Sequence, residues 1–112
     1  MSAIIGSGAF KYEALDSWPI LPGNARLQET PGVAVDSRDQ VYIFSRNEDN
    51  PVMVFDTAGN FLRGFGKGMF SNRTHGIHIG PDDTVFCVDD GIHTITKFTS
   101  EGELLMTIGT HG

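Results

Sequence analysis

Two stretches of this chain, beginning at Gly32 and Gly76, spell one pattern twice, and that duplication limits the fold more than any other feature. Gly76 stands 44 residues after Gly32, and Val85-Phe86-Cys87-Val88 stands at the same offset from Val41-Tyr42-Ile43-Phe44. One residue drops out of the next loop, so Thr94–Phe98 follows 51–55 at an offset of 43, as Gly102 follows Gly59 and Leu104–Ile108 follows Phe61–Phe65. Each unit reads as four short strands. In the first unit these cover 32–36, 41–45, 51–56 and 61–65, separated by a turn, a polar loop and a hairpin turn at 57–60. Gly59 supplies the positive φ such a hairpin needs, and Pro51 opens its strand where a missing donor is tolerated. No apolar stripe of helical period runs longer than a turn.

A repeat of this length with four strands and glycine-marked hairpins is the pattern of a β-propeller blade. Alternation supports it: Val52 and Val54 face one way, Met53 and Phe55 the other, so both faces of the sheet are apolar. The expected fold is all-β: two four-stranded β-propeller blades plus an N-terminal strand at 10–18, incomplete as a monomer. The segments are 1–28 (tail and extra strand, with 1–8 frayed), 29–71 (first blade) and 72–112 (second blade). Two blades cannot close a propeller and would leave apolar outer faces. The chain is therefore expected to self-associate. A homotrimer closing six blades is favoured. A swapped dimer, or a fragment of a longer protein, is the alternative.

Composition narrows the partners. Net charge is −6 with a pI of about 4.9, and the basic residues are scattered, so nucleic acid is not an expected partner. No basic leader with an apolar run opens the chain, and no stretch approaches the ~18 apolar residues of a membrane span. A cytoplasmic location without membrane contact is the default expectation. The single cysteine, Cys87, sits in an apolar run and reads as a small buried hydrophobe.

The segments Gly32-Val33-Ala34-Val35-Asp36, Val41-Tyr42-Ile43-Phe44, 55–61 (Phe-Asp-Thr-Ala-Gly-Asn-Phe) and Phe65-Gly66 resemble NHL repeats. From about Phe10 onward the chain is similar to the N-terminal part of peptidyl-α-hydroxyglycine α-amidating lyases and their bacterial relatives, which are six-bladed propellers. The resemblance implies an activity that splits a peptidyl-α-hydroxyglycine into a peptide amide and glyoxylate. It implies zinc held by three histidines on alternate blades, and calcium held by backbone carbonyls. His75, in Thr74-His75-Gly76-Ile77, matches a zinc histidine. Val33 and Ile77 match calcium carbonyl donors. Arg46 matches an arginine that serves substrate binding and catalysis. The chain departs from the family in having Thr74 where proline is usual. The family's other zinc histidines, its catalytic tyrosine and its acidic calcium ligand belong to blades outside this sequence.

Imidazoles suit zinc, and three of them leave a position open for water or substrate. Three copies of His75 around a three-fold axis would make such a set. Against this stands the plainer reading of His75 as a polar residue at a strand start. His78 reads as a packing histidine on the opposite face, His93 as structural, and His111 as a loop residue. Arg46 aligns with Asp90 in the second unit, so the repeat itself does not demand an arginine; it binds a carboxylate or is a solvated loop residue. Asp89-Asp90 and Glu48-Asp49 read as turn-forming acids. Two functions follow as expectations. One is a lyase-like metal protein acting on a peptide or small α-hydroxy substrate. The other is a non-catalytic NHL scaffold, or a truncated propeller without activity of its own.

Overall fold

The structure, a computed structural model, describes residues 3–112. It is all-β, with ten strands in three antiparallel sheets: β1 (Ile4–Ser7), β2 (Phe10–Glu13), β3 (Gly32–Val35), β4 (Val41–Phe44), β5 (Val52–Phe55), β6 (Phe61–Phe65), β7 (Thr74–Ile79), β8 (Val85–Asp89), β9 (Thr94–Phe98) and β10 (Leu104–Ile108). Strands β3 to β6 form one four-stranded meander and β7 to β10 the other. These are the eight strands anticipated from the duplication, with ends differing by a residue or two. No helix among the described residues is long and apolar enough to cross a membrane.

The turns repeat as faithfully as the strands. Asp39 and Asp83, 44 residues apart, both take a positive φ, of 60° and 63°, in the turns after β3 and β7. Aspartate is among the few non-glycine residues that enter this region. The two hairpin glycines also correspond: Gly59 has φ 86° and Gly102 φ 95°. In the first turn Asp56 Oδ1 accepts from the amides of Ala58 and Asn60; in the second, Thr99 Oγ1 accepts from Glu103 N.

The sheets stack face to face. Tyr42, Phe44, Val52 and Val54 from the first sheet meet Val85, Cys87 and Phe98 from the second, all fully buried. Phe65 and Phe70 close the gap, Phe65 lying 5.2 Å from Phe98 and Phe70 5.0 Å from Phe44 between ring centroids. Each buried side chain of this size contributes about 1.5–3 kcal/mol. Along one rim a polar clamp joins the sheets. Arg63 donates to Tyr42 Oη (2.9 Å), Gln40 Oε1 (2.9 Å) and the Ser100 carbonyl (2.8 Å), while Tyr42 donates to Asp36 (3.0 Å). Beside it Asp83 accepts from both the amide and the hydroxyl of Ser37.

The N-terminal region differs from expectation in two ways. The strand anticipated over 10–18 is only Phe10–Glu13, and it pairs with Ile4–Ser7, part of the stretch expected to fray. Residues 1 and 2 lie outside the described residues. Gly8, at φ 61°, makes the turn between these strands. The chain then covers the outer face of the first sheet, which had been expected to lie open. Trp18, Leu21 and Leu27 pack on Ile43, Met53 and Phe55. Trp18 Nε1 donates to the Thr57 carbonyl (3.1 Å), and a Cβ on Gly59 would lie 2.9 Å from the indole. The Trp18 ring sits where only a glycine at 59 leaves room.

Burial pushes the Cys87 thiol from its ordinary 9.0 up to about 12. Burial, aided by the bond to Asp36, raises Tyr42 from 10.0 to about 12. Both groups are neutral in the fold. The stability they confer is complete below their ordinary values and is lost as pH rises toward about 12. Two outcomes are expected. A thiol-reactive disulfide reagent should label Cys87 only in denaturant. The urea midpoint should fall steadily above pH 9, with a shallower fall in Cys87→Ala. Rapid labelling of the native protein would contradict the buried placement.

Candidate functional site

The innermost strands of the two sheets, β3 and β7, run side by side, and the site is built where they begin. Their approach depends on Gly32. A Cβ there would lie 3.1 Å from the His75 carbonyl oxygen and 3.1 Å from Ile77 Cγ2. Val33 and Ile77 therefore sit on neighbouring strands, Val33 with an exposed side chain and Ile77 half-buried. Strand β7 is irregular here: the pairing register with β8 shifts between Thr74 and Ile77. His75 thus lies in a bulge, a device that re-aims side chains. The bulge also interrupts the simple alternation that sets His78 opposite His75. His78 lies exposed on the outer face of the second sheet, with Phe86 6.2 Å away between rings.

Thr74 couples the two units. It is buried, its hydroxyl donates to the Ser45 carbonyl (3.3 Å), and its own carbonyl accepts from Arg46 Nε (3.4 Å). The Thr74 hydroxyl thus ties the second unit to the first. The loop carrying Arg46 is shaped locally. Asn47 N donates to Ser45 Oγ (2.9 Å), Asn47 Oδ1 accepts from the amides of Asp49 and Asn50, and Asn47 Nδ2 donates to the Arg26 carbonyl (2.6 Å).

Arg46 and His75 line one open depression of about 710 Å³, together with Glu29, Arg73 and Asp90. Arg46 is ion-paired with Glu29, and its amide also donates to the Glu29 carbonyl (2.8 Å). Arg73 grips Asp90 with two hydrogen bonds, Nε to Oδ1 at 2.7 Å and Nη2 to Oδ2 at 3.2 Å. These pairs occupy equivalent places. Glu29 and Arg73 are 44 residues apart, and so are Arg46 and Asp90. The two units carry the same ion pair with its polarity reversed. Arg73 is the residue that sequence reasoning missed as a site component, although the repeat offset contains the signal. Asp89, next to Asp90, is drawn into the fold instead. It accepts from Ser71 N and Oγ (both 2.6 Å) and Gly91 N (2.9 Å). Burial works against its charge, but these bonds outweigh it and hold the carboxyl below its ordinary value.

The electrostatics follow from this crowding. Asp90 is held below the usual carboxylate value, chiefly by the Arg73 hydrogen bonds, with smaller contributions from the charges of Arg73, His75 and Arg46. Glu29 is 76% exposed in its side chain and Arg46 28%, so the carboxylate is the outer, exchangeable partner of that pair. Among the described residues no group of three His, Cys, Asp or Glu side chains could hold a metal ion. One chain brings a single imidazole here, beside guanidinium groups, and that donor set does not fit zinc by itself. The other candidates lie elsewhere. His93 Nδ1 contacts the Gly112 carbonyl at 2.6 Å, and His111 is an exposed tail residue. No family model matches the chain.

Two substitutions test this geometry. Gly32→Ala presses a methyl on the backbone of β7 and should cost about 1–3 kcal/mol in urea unfolding. Thr74→Val keeps the shape but strands the Ser45 carbonyl, and should cost about 1–3 kcal/mol. An unchanged midpoint would show, for Gly32→Ala, that β3 and β7 are not held this closely and, for Thr74→Val, that the bond to Ser45 does not tie the two units.

Proposed function

We propose that this chain is a two-blade, NHL-type propeller protomer whose Arg46–His75 end binds a carboxylate on a peptide or small α-hydroxy acid. The observation that carries the reading is the shared depression. A partly exposed guanidinium and an exposed imidazole line it together, and the carboxylate now paired with Arg46 is the outer member of its pair. An incoming carboxylate would replace Glu29 and keep the charge on Arg46 neutralised, with two parallel N–H bonds available to it. His75 would accept or donate a hydrogen bond at the same group.

Lyase-like chemistry belongs to this proposal only in an assembly. Zinc would need imidazoles from other chains beside His75, and a homotrimer is the arrangement that supplies three. When bound, such a metal polarises an oxygen or activates water. Calcium would rest on the carbonyls of Val33 and Ile77. A second reading, a non-catalytic scaffold, is favoured by the inverted pair itself. Arg46 stands where the other unit has Asp90, so the position serves an ion pair in both units.

Lactate and a short N-acylated α-hydroxyglycine peptide are the probes, with chemical shifts of the loop at 45–50 and glyoxylate release as readouts. Arg46→Ala should weaken binding about tenfold, a loss of about 1.4 kcal/mol. Glu29→Gln should tighten it by removing the competitor. Zinc content should fall in His75→Ala if the assembly holds metal. Glu29→Gln without effect on binding would sink the carboxylate reading, and the absence of both binding and glyoxylate would leave the scaffold.

A further inference from the structure

The two outer faces of the stacked sheets are treated differently by this chain. The outer face of the first sheet is closed by residues 18–27. Among the described residues, the outer face of the second has no such cover. Its rows are His78, Phe86, Lys97 and Met106, and beside them Val88, Ile95 and Ile108. By the repeat offsets, Phe86, Val88 and Ile95 correspond to Tyr42, Phe44 and Val52. In the first unit those three are fully buried against the second sheet. The second unit presents the same surface with Ile95, Met106 and Ile108 exposed.

The β1–β2 hairpin is a second unpartnered apolar surface. Ile5 pairs with Tyr12 and Ser7 with Phe10, so these four share one face. Phe10 is 73% exposed, Tyr12 61% and Ile5 60%. Its own chain cannot bring this hairpin to the open face. Trp18 is pinned on the far side of the first sheet, and the residues between it and Glu13 span at most ~18 Å when extended. From that layer, across both sheets, to a layer beyond the second is three sheet spacings, ~30 Å.

We infer that the open face of the second sheet is an interface between two copies of this chain, covered by the partner's β1–β2 hairpin in a reciprocal exchange. The areas match. Aromatic side chains offer ~150–250 Å² each and aliphatic ones ~60–120 Å², so the half-exposed residues of hairpin and face supply on the order of 500 Å² per protomer. A standard interface buries ~800 Å² per partner, about 56–65% of it apolar. A four-residue hairpin is ~13 Å long and two strands ~10 Å wide, which fits over half of a four-stranded face. The exchange closes on itself, so growth stops at two copies. A six-blade homotrimer, and with it a three-imidazole zinc site, would instead require that open face to dock where residues 18–27 already lie, so the two assemblies exclude each other. The inference does not rest on the carboxylate reading of the Arg46 depression.

Light scattering on the 112-residue chain should give the mass of two 12.2 kDa protomers. Phe10→Asp, in the hairpin, and Ile95→Asp, on the open face, should each give a monomer with an unchanged circular dichroism spectrum, since both side chains are exposed in the single chain. An equimolar mixture of the two variants should recover a dimer. In it the intact hairpin of the Ile95→Asp chain meets the intact face of the Phe10→Asp chain. A monomeric native chain, a three-chain mass, or a mixture that stays monomeric would each overturn the assignment. Either variant's lactate binding can be measured separately, so loss of dimerisation and loss of the carboxylate site are distinguishable.

Discussion

The apolar layer between the two four-stranded sheets is the constraint on which the rest depends. Seven fully buried side chains form it, drawn from both units. Neither sheet could bury its own inner face alone, so each unit exists as a folded object only against the other. The contacts that tie the two units together lie at the ends of that layer. Arg63 bridges one rim from beneath Tyr42, with its guanidinium 5.7 Å from the ring centroid. Thr74 and Gly32 bring the innermost strands together at the opposite end.

That close approach makes the Arg46–His75 depression. Were β3 and β7 farther apart, the loop after β4 and the bulge in β7 would not face one another. The carbonyl of Thr74 could not accept from Arg46. The inverted ion pairs show how a duplicated unit acquires asymmetry. Two positions exchange charge between repeats, so the salt bridge survives while the exposed group changes. In the first unit a carboxylate, Glu29, is outermost. In the second, Arg73 and Asp90 are both substantially exposed and grip each other at two points. Exposed pairs of this kind add little stability because water screens them. Their influence is on which charges a ligand would meet.

Much of the fold was legible before any coordinates. Eight strands, two hairpin glycines and the buried state of Cys87 follow from alternation, turn chemistry and the duplication. The N-terminal region was not legible. A strand of alternating residues at 10–13 needs a partner, and Ile4–Ser7, interrupted by Gly6, has too weak a pattern to reveal itself. Nor does local sequence show that Trp18, Leu21 and Leu27 cap a sheet, because they follow no strand or helix period. Of the site, Arg46 and His75 were legible as types, and their sharing of one depression was not. Arg73 went unread because an arginine in a loop has no local signature; only its place opposite Asp90 gives it one.

The sequence by itself determined the class of fold, because a side-chain period of two with glycines at fixed intervals has few solutions other than antiparallel meanders. It determined that one unit must pack on the next, since both faces of each sheet are apolar. Only the tertiary structure decided which outer face is closed and which stays open. That choice depends on where a non-periodic segment, residues 18–27, finds a surface with room for an indole, and on whether the link to the hairpin is long enough to reach anything else.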